Sequence, residues 1–207
     1  ATSDDAVVLG AVTLGSNTVV DTNSTTTNRA DITIAAVTGG SNTLTLTTEN
    51  NVTGSDVTAS GNISGVTTLT LASVGGTATL SADVDVTTLT VGNTVLNVAF
   101  TGNGSSVANA VSFANDGTLT LGTSGGTQTF NGGLTTTSGT VILNGTIQSS
   151  DDNMIFGAVT LGSTTVIDTN ATPTNTGDIA IDSITGGSNA LTLSTENNVT
   201  NSDIEIV

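Results

Sequence analysis

The chain has 207 residues, and Thr, Ser, Asn and Gly supply 113 of them, with 46 Thr, one Pro, four Phe and neither Trp nor Tyr, so a thick core filled by rings is excluded. At 35% hydrophobic residues and a mean hydropathy of +0.23 the chain is nevertheless too apolar for simple disorder. Seventeen carboxylates against the single Arg29, with no Lys and no His, give a formal charge of −16, which repels nucleic acid and anionic membrane surfaces.

Taken in order, the chain alternates apolar and polar residues with a period of two. Val12-Thr13-Leu14, Ile32-Thr33-Ile34, Leu44-Thr45-Leu46, Leu69-Thr70-Leu71, Leu89-Thr90-Val91, Leu119-Thr120-Leu121, Val159-Thr160-Leu161 and Leu191-Thr192-Leu193 each put two aliphatics on one face of a short strand and a Thr on the other. Between them stand turn signals such as Gly39-Gly40-Ser41-Asn42, Gly75-Gly76, Asn103-Gly104, Gly125-Gly126, Asn131-Gly132 and Asn144-Gly145, where positive φ costs little. No stretch reads as a significant helix; in the nearest candidate, 106–115, Val111-Ser112-Phe113 reads as another strand.

Residues 150–204 repeat residues 3–57 at a constant offset of 147, with 37 of 55 positions identical and no gap. Gly10 to Ser16 matches Gly157 to Ser163 throughout, and Thr48 to Thr53 matches Thr195 to Thr200. The changes Thr26 to Pro173 and Arg29 to Thr176 point to a loop between strands. The whole chain, 1–207, is expected to be one continuous segment of an array and not two separate domains. An immunoglobulin-type sandwich would need a buried aromatic in a thick core and loops shaped by Pro and charges, and those markers are missing. In a parallel β-solenoid small aliphatics fill a narrow interior, while Thr, Ser and Asn run in ladders outside. Aliphatic anchors near 12, 32, 52, 69, 89, 111, 134 and 159 suggest seven coils of about 21 residues per repeat. About ten such coils at roughly 4.8 Å each give a rod on the order of 50 Å long.

The runs Gly157 to Ser163, Asp178-Ile179-Ala180-Ile181, Ala190-Leu191-Thr192-Leu193 and Val141-Ile142-Leu143-Asn144-Gly145-Thr146-Ile147 resemble the repeat tracts of filamentous-haemagglutinin-like adhesins, which are large bacterial surface and secreted proteins. The resemblance extends over the whole chain as style and composition. It implies a right-handed parallel β-helix, export to the bacterial surface or medium, and work as stalk, adhesin or fibre. A cell-surface or glycan ligand would then be the partner. The secretion domain that opens some members is not visible, and no binding residue carries over.

Chemistry narrows quickly. Without His, Lys, Cys or Tyr no Ser/His/Asp or Cys/His arrangement can be assembled, and no disulfide or Cys-based zinc site can form. An enzyme would have to be a carboxylate enzyme cleaving polysaccharide, built on Asp4-Asp5, Asp151-Asp152 or Asp83-Val84-Asp85, but it would lack the rings and cations that hold sugars. The expectation is no enzyme, with those acidic pairs at solvated turns.

Calcium needs only oxygen ligands, so Asp4, Asp5, Asp83, Asp85, Asp151 and Asp152 are weak metal candidates, followed by Asp21, Asp168, Asp178/Asp182 and Asp203/Glu205. Neither the G-G-x-G-x-D nonapeptide nor the D-x-[DN]-x-[DN]-G loop is present. Asp21 and Asp168, each followed by Thr-Asn, also read as caps of their own turns.

Thr43/Thr45/Thr47, Thr68/Thr70, Thr88/Thr90 and Thr118/Thr120 resemble the hydroxyl rows of ice-binding solenoids, but their uneven steps along the chain do not keep one coil period. The seven Asn-x-Ser/Thr sequons, Asn23 and Asn198 among them, are expected by chance in such a composition and support no glycosylation.

No apolar run reaches the roughly 18 residues of a membrane helix, and no signal peptide opens the chain. Starting at Ala1, it reads as a processed piece of a longer protein whose address signals lie elsewhere. The expected role is a structural or adhesive segment of a secreted or cell-surface protein. Its partners would be further repeats of the same chain, or copies stacked end to end through uncapped strand edges.

Overall fold

The structure, a computed structural model, describes residues 4–137, 139–170, 175–195 and 200–207; Pro173 and the sequon at Asn198 lie outside them. Among the described residues nineteen strands, every registered pair parallel, join in one hydrogen-bonded sheet that winds through about eight turns, and no helix occurs. This is the parallel β-solenoid that the alternation predicts. At ~4.8 Å per turn the rod is roughly 38 Å long, shorter than ten coils would make it.

Three faces run the length of the rod. The first stacks 7–9, 32–34, 57–59, 78–80, 98–100, 119–121, 141–143 and 159–161 in register. The second begins at 11–13 and continues through 36–38, 63–64, 84–86, 106–107 and 129–130. The third begins at Thr18–Asp21 and continues through Leu44–Thr47, 69–72, 89–91, Val111–Phe113 and Leu134–Thr136 to 154–156. Alternation decides which residues go inside: Leu44, Leu46, Leu69, Leu71 and their counterparts on all faces are buried, while the intervening Thr point outward.

Coils are not uniform. Turns within the repeat copies are long, as from Val7 to Ile32 and from Thr18 to Leu44, whereas the region between has shorter ones, such as that from Ala78 to Val98. The extra length of the first turn lies in the strandless segment 22–31, which holds Thr26 and Arg29 as the sequence leads one to expect. The anchors chosen from sequence accordingly do not mark one column. Positions 69, 89, 111 and 134 share the third face, but Val12 is on the second, Ile32 on the first, and Val52 sits in a turn.

This changes the meaning of the repeat. Seven registered steps along the first face lead from Val7 to Val159, whereas Met154, the repeat equivalent of Val7, stacks on Leu134 in the third face. One repeat unit therefore spans about six and two-thirds turns, not seven, and the second copy is rotated by one face relative to the first.

All four Phe are fully buried, and three converge on the rod axis, one from each face. Phe113 and Phe130 meet edge to face with centroids 5.8 Å apart, and Phe100 lies 5.8 Å from Phe130 and 6.5 Å from Phe113. Rings thus fill a narrow core at its middle instead of building a thick one.

Corners use positive φ. At Gly122 (φ +75°) an added Cβ would run into the Asn144 carbonyl oxygen of the next coil, so both the conformation and the space call for glycine.

Candidate functional site

The acidic residues proposed from sequence do not gather into one centre. Asp83 is half-buried at a corner, and its Oδ1 accepts the backbone N–H groups of both Asn103 and Gly104 from the next coil at 2.7 Å each. Asp85, two residues on, is exposed in an outward row of the second face between Ser64 and Ser106. Asp4 accepts the N–H of Thr25, a bond that holds its carboxyl below the ordinary value of 3.8, and its neighbour Asp5 is exposed. Asp151 donates its backbone N–H to the Thr169 carbonyl at 3.0 Å with φ +68°. Together with exposed Asp152 it borders a shallow cavity of about 290 Å³ that Gly132, Gly133 and Thr135 also line.

One use of carboxylates recurs at the starts of strands. A carboxylate or amide oxygen accepts the N–H of the residue stacked one coil further on: Asp31 from Asp56 at 2.9 Å, Asp56 from Thr77 at 2.8 Å, Asn97 from Thr118 at 2.9 Å, and Asp178 from Asp203 at 3.0 Å. Such bonds supply acceptors to corner amides between consecutive ladder pairs. Arg29 spans the first two of these acids, with Nη2 3.0 Å from Asp31 and 3.1 Å from Asp56. Asp21 and Asp168 cap their own turns, as expected, accepting the N–H of Asn23 at 2.6 Å and of Asn170 at 2.8 Å, both Asn with φ +50°. Among the described residues no group of three or more Asp or Glu stands close enough to share a metal ion.

The threonines are arranged more regularly than their sequence spacing suggests. On the third face Thr45 stacks on Thr70 and Thr70 on Thr90, flanked by the stacked pair Thr68 and Thr88, with Thr43 preceding the pair Leu44 and Leu69. The unequal sequence steps from Thr45 to Thr70 and from Thr70 to Thr90 disappear because the connecting segments absorb them. Thr118 and Thr120, by contrast, belong to the first face. There Thr33, Thr58 and Thr79 form a second row, interrupted further along by Ala99 and Ile142. The hydroxyls of Thr45, Thr70 and Thr90 make no hydrogen bond to protein among the described residues. Strand geometry puts their rows ~4.8 Å apart, with roughly 6.6 Å between alternate residues along a strand.

No family model, curated protein or solved structure matches the chain. No helix among the described residues is long and apolar enough to cross a membrane.

Proposed function

We propose that the chain is a structural segment, a stalk or fibre element with an adhesive outer surface, of a large secreted or cell-surface bacterial protein, with no catalytic role. The observation that carries this reading is the parallel stacking of all three faces through about eight turns, with local register shifts at Ser64/Val66 and Leu143/Gly145, in which Asp31, Asp56, Asp83 and Asp178 are tied to backbone amides of the next coil and no group of three or more acids gathers among the described residues. Regular stacking sets a fixed length per repeat, which is what a spacer requires.

The test is to display one, two and three repeat units between a membrane anchor and a labelled head domain and to measure the height of the label. Each unit should add roughly 32 Å, given ~4.8 Å per turn. Height that does not grow with unit number overturns the spacer role. Binding of the purified chain to host cells or a glycan array tests the adhesive part separately, and rods that extend but bind neither remove it.

A second reading is favoured by the rows of Thr43/Thr45, Thr68/Thr70 and Thr88/Thr90. Stacked rows whose central hydroxyls, those of Thr45, Thr70 and Thr90, make no hydrogen bond to protein among the described residues can order water at a regular spacing. Thermal hysteresis and ice shaping by the purified chain, lost in Thr70→Tyr, would support it; their absence in the unaltered chain ends it.

A further inference from the structure

We infer that the first coil, residues 7–21, is an acceptor edge for a segment equivalent to 134–148 of another repeat unit, and that successive units join with a rotation of one face. The inference rests on reading the chain as part of a repeating array. The start of the repeat occurs twice in the chain, and the second copy shows the coil that stacks before it.

At the internal junction 134–135 stacks on 154–155, 141–143 on 159–161, and 145–148 on 165–168. Two backbone bonds close its ends: the N–H of Leu134 donates to the Asn153 carbonyl at 3.1 Å, and that of Ser149 to the Asp168 carbonyl at 3.0 Å. In the first copy Ala6 and Asp21 hold the places of Asn153 and Asp168.

Burial follows the junction. Phe156, Val159 and Ile167 are at most 2% exposed, whereas their equivalents Leu9, Val12 and Val20 are only partly buried. Val8 is 75% exposed and Val19 62%, both on the edge strands of the first coil. An apolar end with unpaired parallel-strand edges is a template for another strand layer. The stretch 157–165 differs from 10–18 only at Thr164, where the first copy has Asn17, so the edge that 141–148 recognises is presented again by the first copy.

The partner is therefore specific. A second copy of this whole chain cannot offer 134–148 at its own free edge, because Met154–Asp168 already covers that segment. The acceptor edge instead fits the part of a unit that directly precedes a repeat start. Each junction advances the sequence by about six and two-thirds turns, so equivalent residues return to one face only after three units, about 20 turns or roughly 96 Å at ~4.8 Å per turn. Any outward feature of the unit would thus be shown on all three sides of the rod in rotation.

The experiment fuses residues 111–149 of the chain directly before Ser3 of the otherwise unaltered protein, reproducing the Ser149–Ser150 connection. Hydrogen exchange of the amides in 7–21 should slow at least about tenfold, as expected when a fraying end becomes interior. With Thr135 of the fused segment and Val8 both replaced by Cys, oxidation should link them, since their Cα atoms would stand ~4.8 Å apart, within disulfide reach. Leu134→Asp and Ile147→Asp confined to the fused segment should abolish both effects. Unchanged exchange with proteolytic loss of the fused segment overturns the junction, and cross-linking of Val8→Cys to a first-face position in place of Thr135→Cys overturns the rotation. These readouts are independent of export or adhesion, so failure of the proposed stalk role leaves them interpretable.

Discussion

Val12 and Val159 occupy the same position of the sequence repeat yet line different faces of the rod: Val12 pairs with Val37 in the second face, and Val159 lies between Val141 and Ile184 in the first. Both point inward, and both sit among small aliphatics. The interior is alike enough on all three faces for one sequence to serve at either place. Substitutions between the copies, such as Val20 to Ile167, Val37 to Ile184 and Thr47 to Ser194, keep to the same kind of side chain for that reason.

The aromatic centre should dominate stability. Phe130→Ala removes a ring that touches Phe100 and Phe113 and is expected to cost about 3–5 kcal/mol, whereas Thr70→Ala on the outer face should stay within about 0.5 kcal/mol. Urea unfolding followed by circular dichroism compares the two. Similar midpoints for both variants would show that the rings are not packed at the axis.

Glycine corners should differ by the space around them. Gly122→Ala meets the Asn144 carbonyl as well as an unfavourable φ of +75°, and should cost more than about 2 kcal/mol. Gly125→Ala has φ +78° but nothing within 4 Å, so only the conformational cost of about 1 kcal/mol applies. Thermal melts of both variants check the order, and equal losses would contradict the close coil contact at Gly122.

Asp83 tests whether acids serve the backbone or a metal. Because two amides donate to it, Asp83→Ala should lose about 1–2 kcal/mol, reduced from the full value of a charged hydrogen bond by its partial exposure. If this is its only work, millimolar calcium leaves the melting temperature of the unaltered chain where it was. A rise with calcium that disappears in Asp83→Ala would assign it to a cation instead.

The bond between Asp4 and Thr25 carries a pH dependence. Its folded-state pKa lies below 3.8, so the contribution is complete above that value and is lost as pH falls through the lower folded value. Stability measured from pH 6 to pH 2 should therefore decline less steeply at the acid end in Asp4→Asn than in the unaltered chain. Parallel curves would show that the bond does not persist in solution.

Alternation along Leu44 to Leu46 or Leu69 to Leu71, together with the scarcity of rings, was enough to determine an all-β solenoid, because residue period and side-chain size are local properties. The turn caps at Asp21 and Asp168 were legible too, since a carboxylate and an amide two residues apart need no distant partner. The tertiary structure alone decided which strands share a face. Parallel partners such as Thr45 and Thr70 or Thr70 and Thr90 are separated by unequal lengths of chain, and their register depends on how much of it each corner takes up. Corner length leaves no periodic mark in the sequence. The aligned threonines, the amides that occupy Asp83 and the rotation of the second copy follow from that register and could not be read without it.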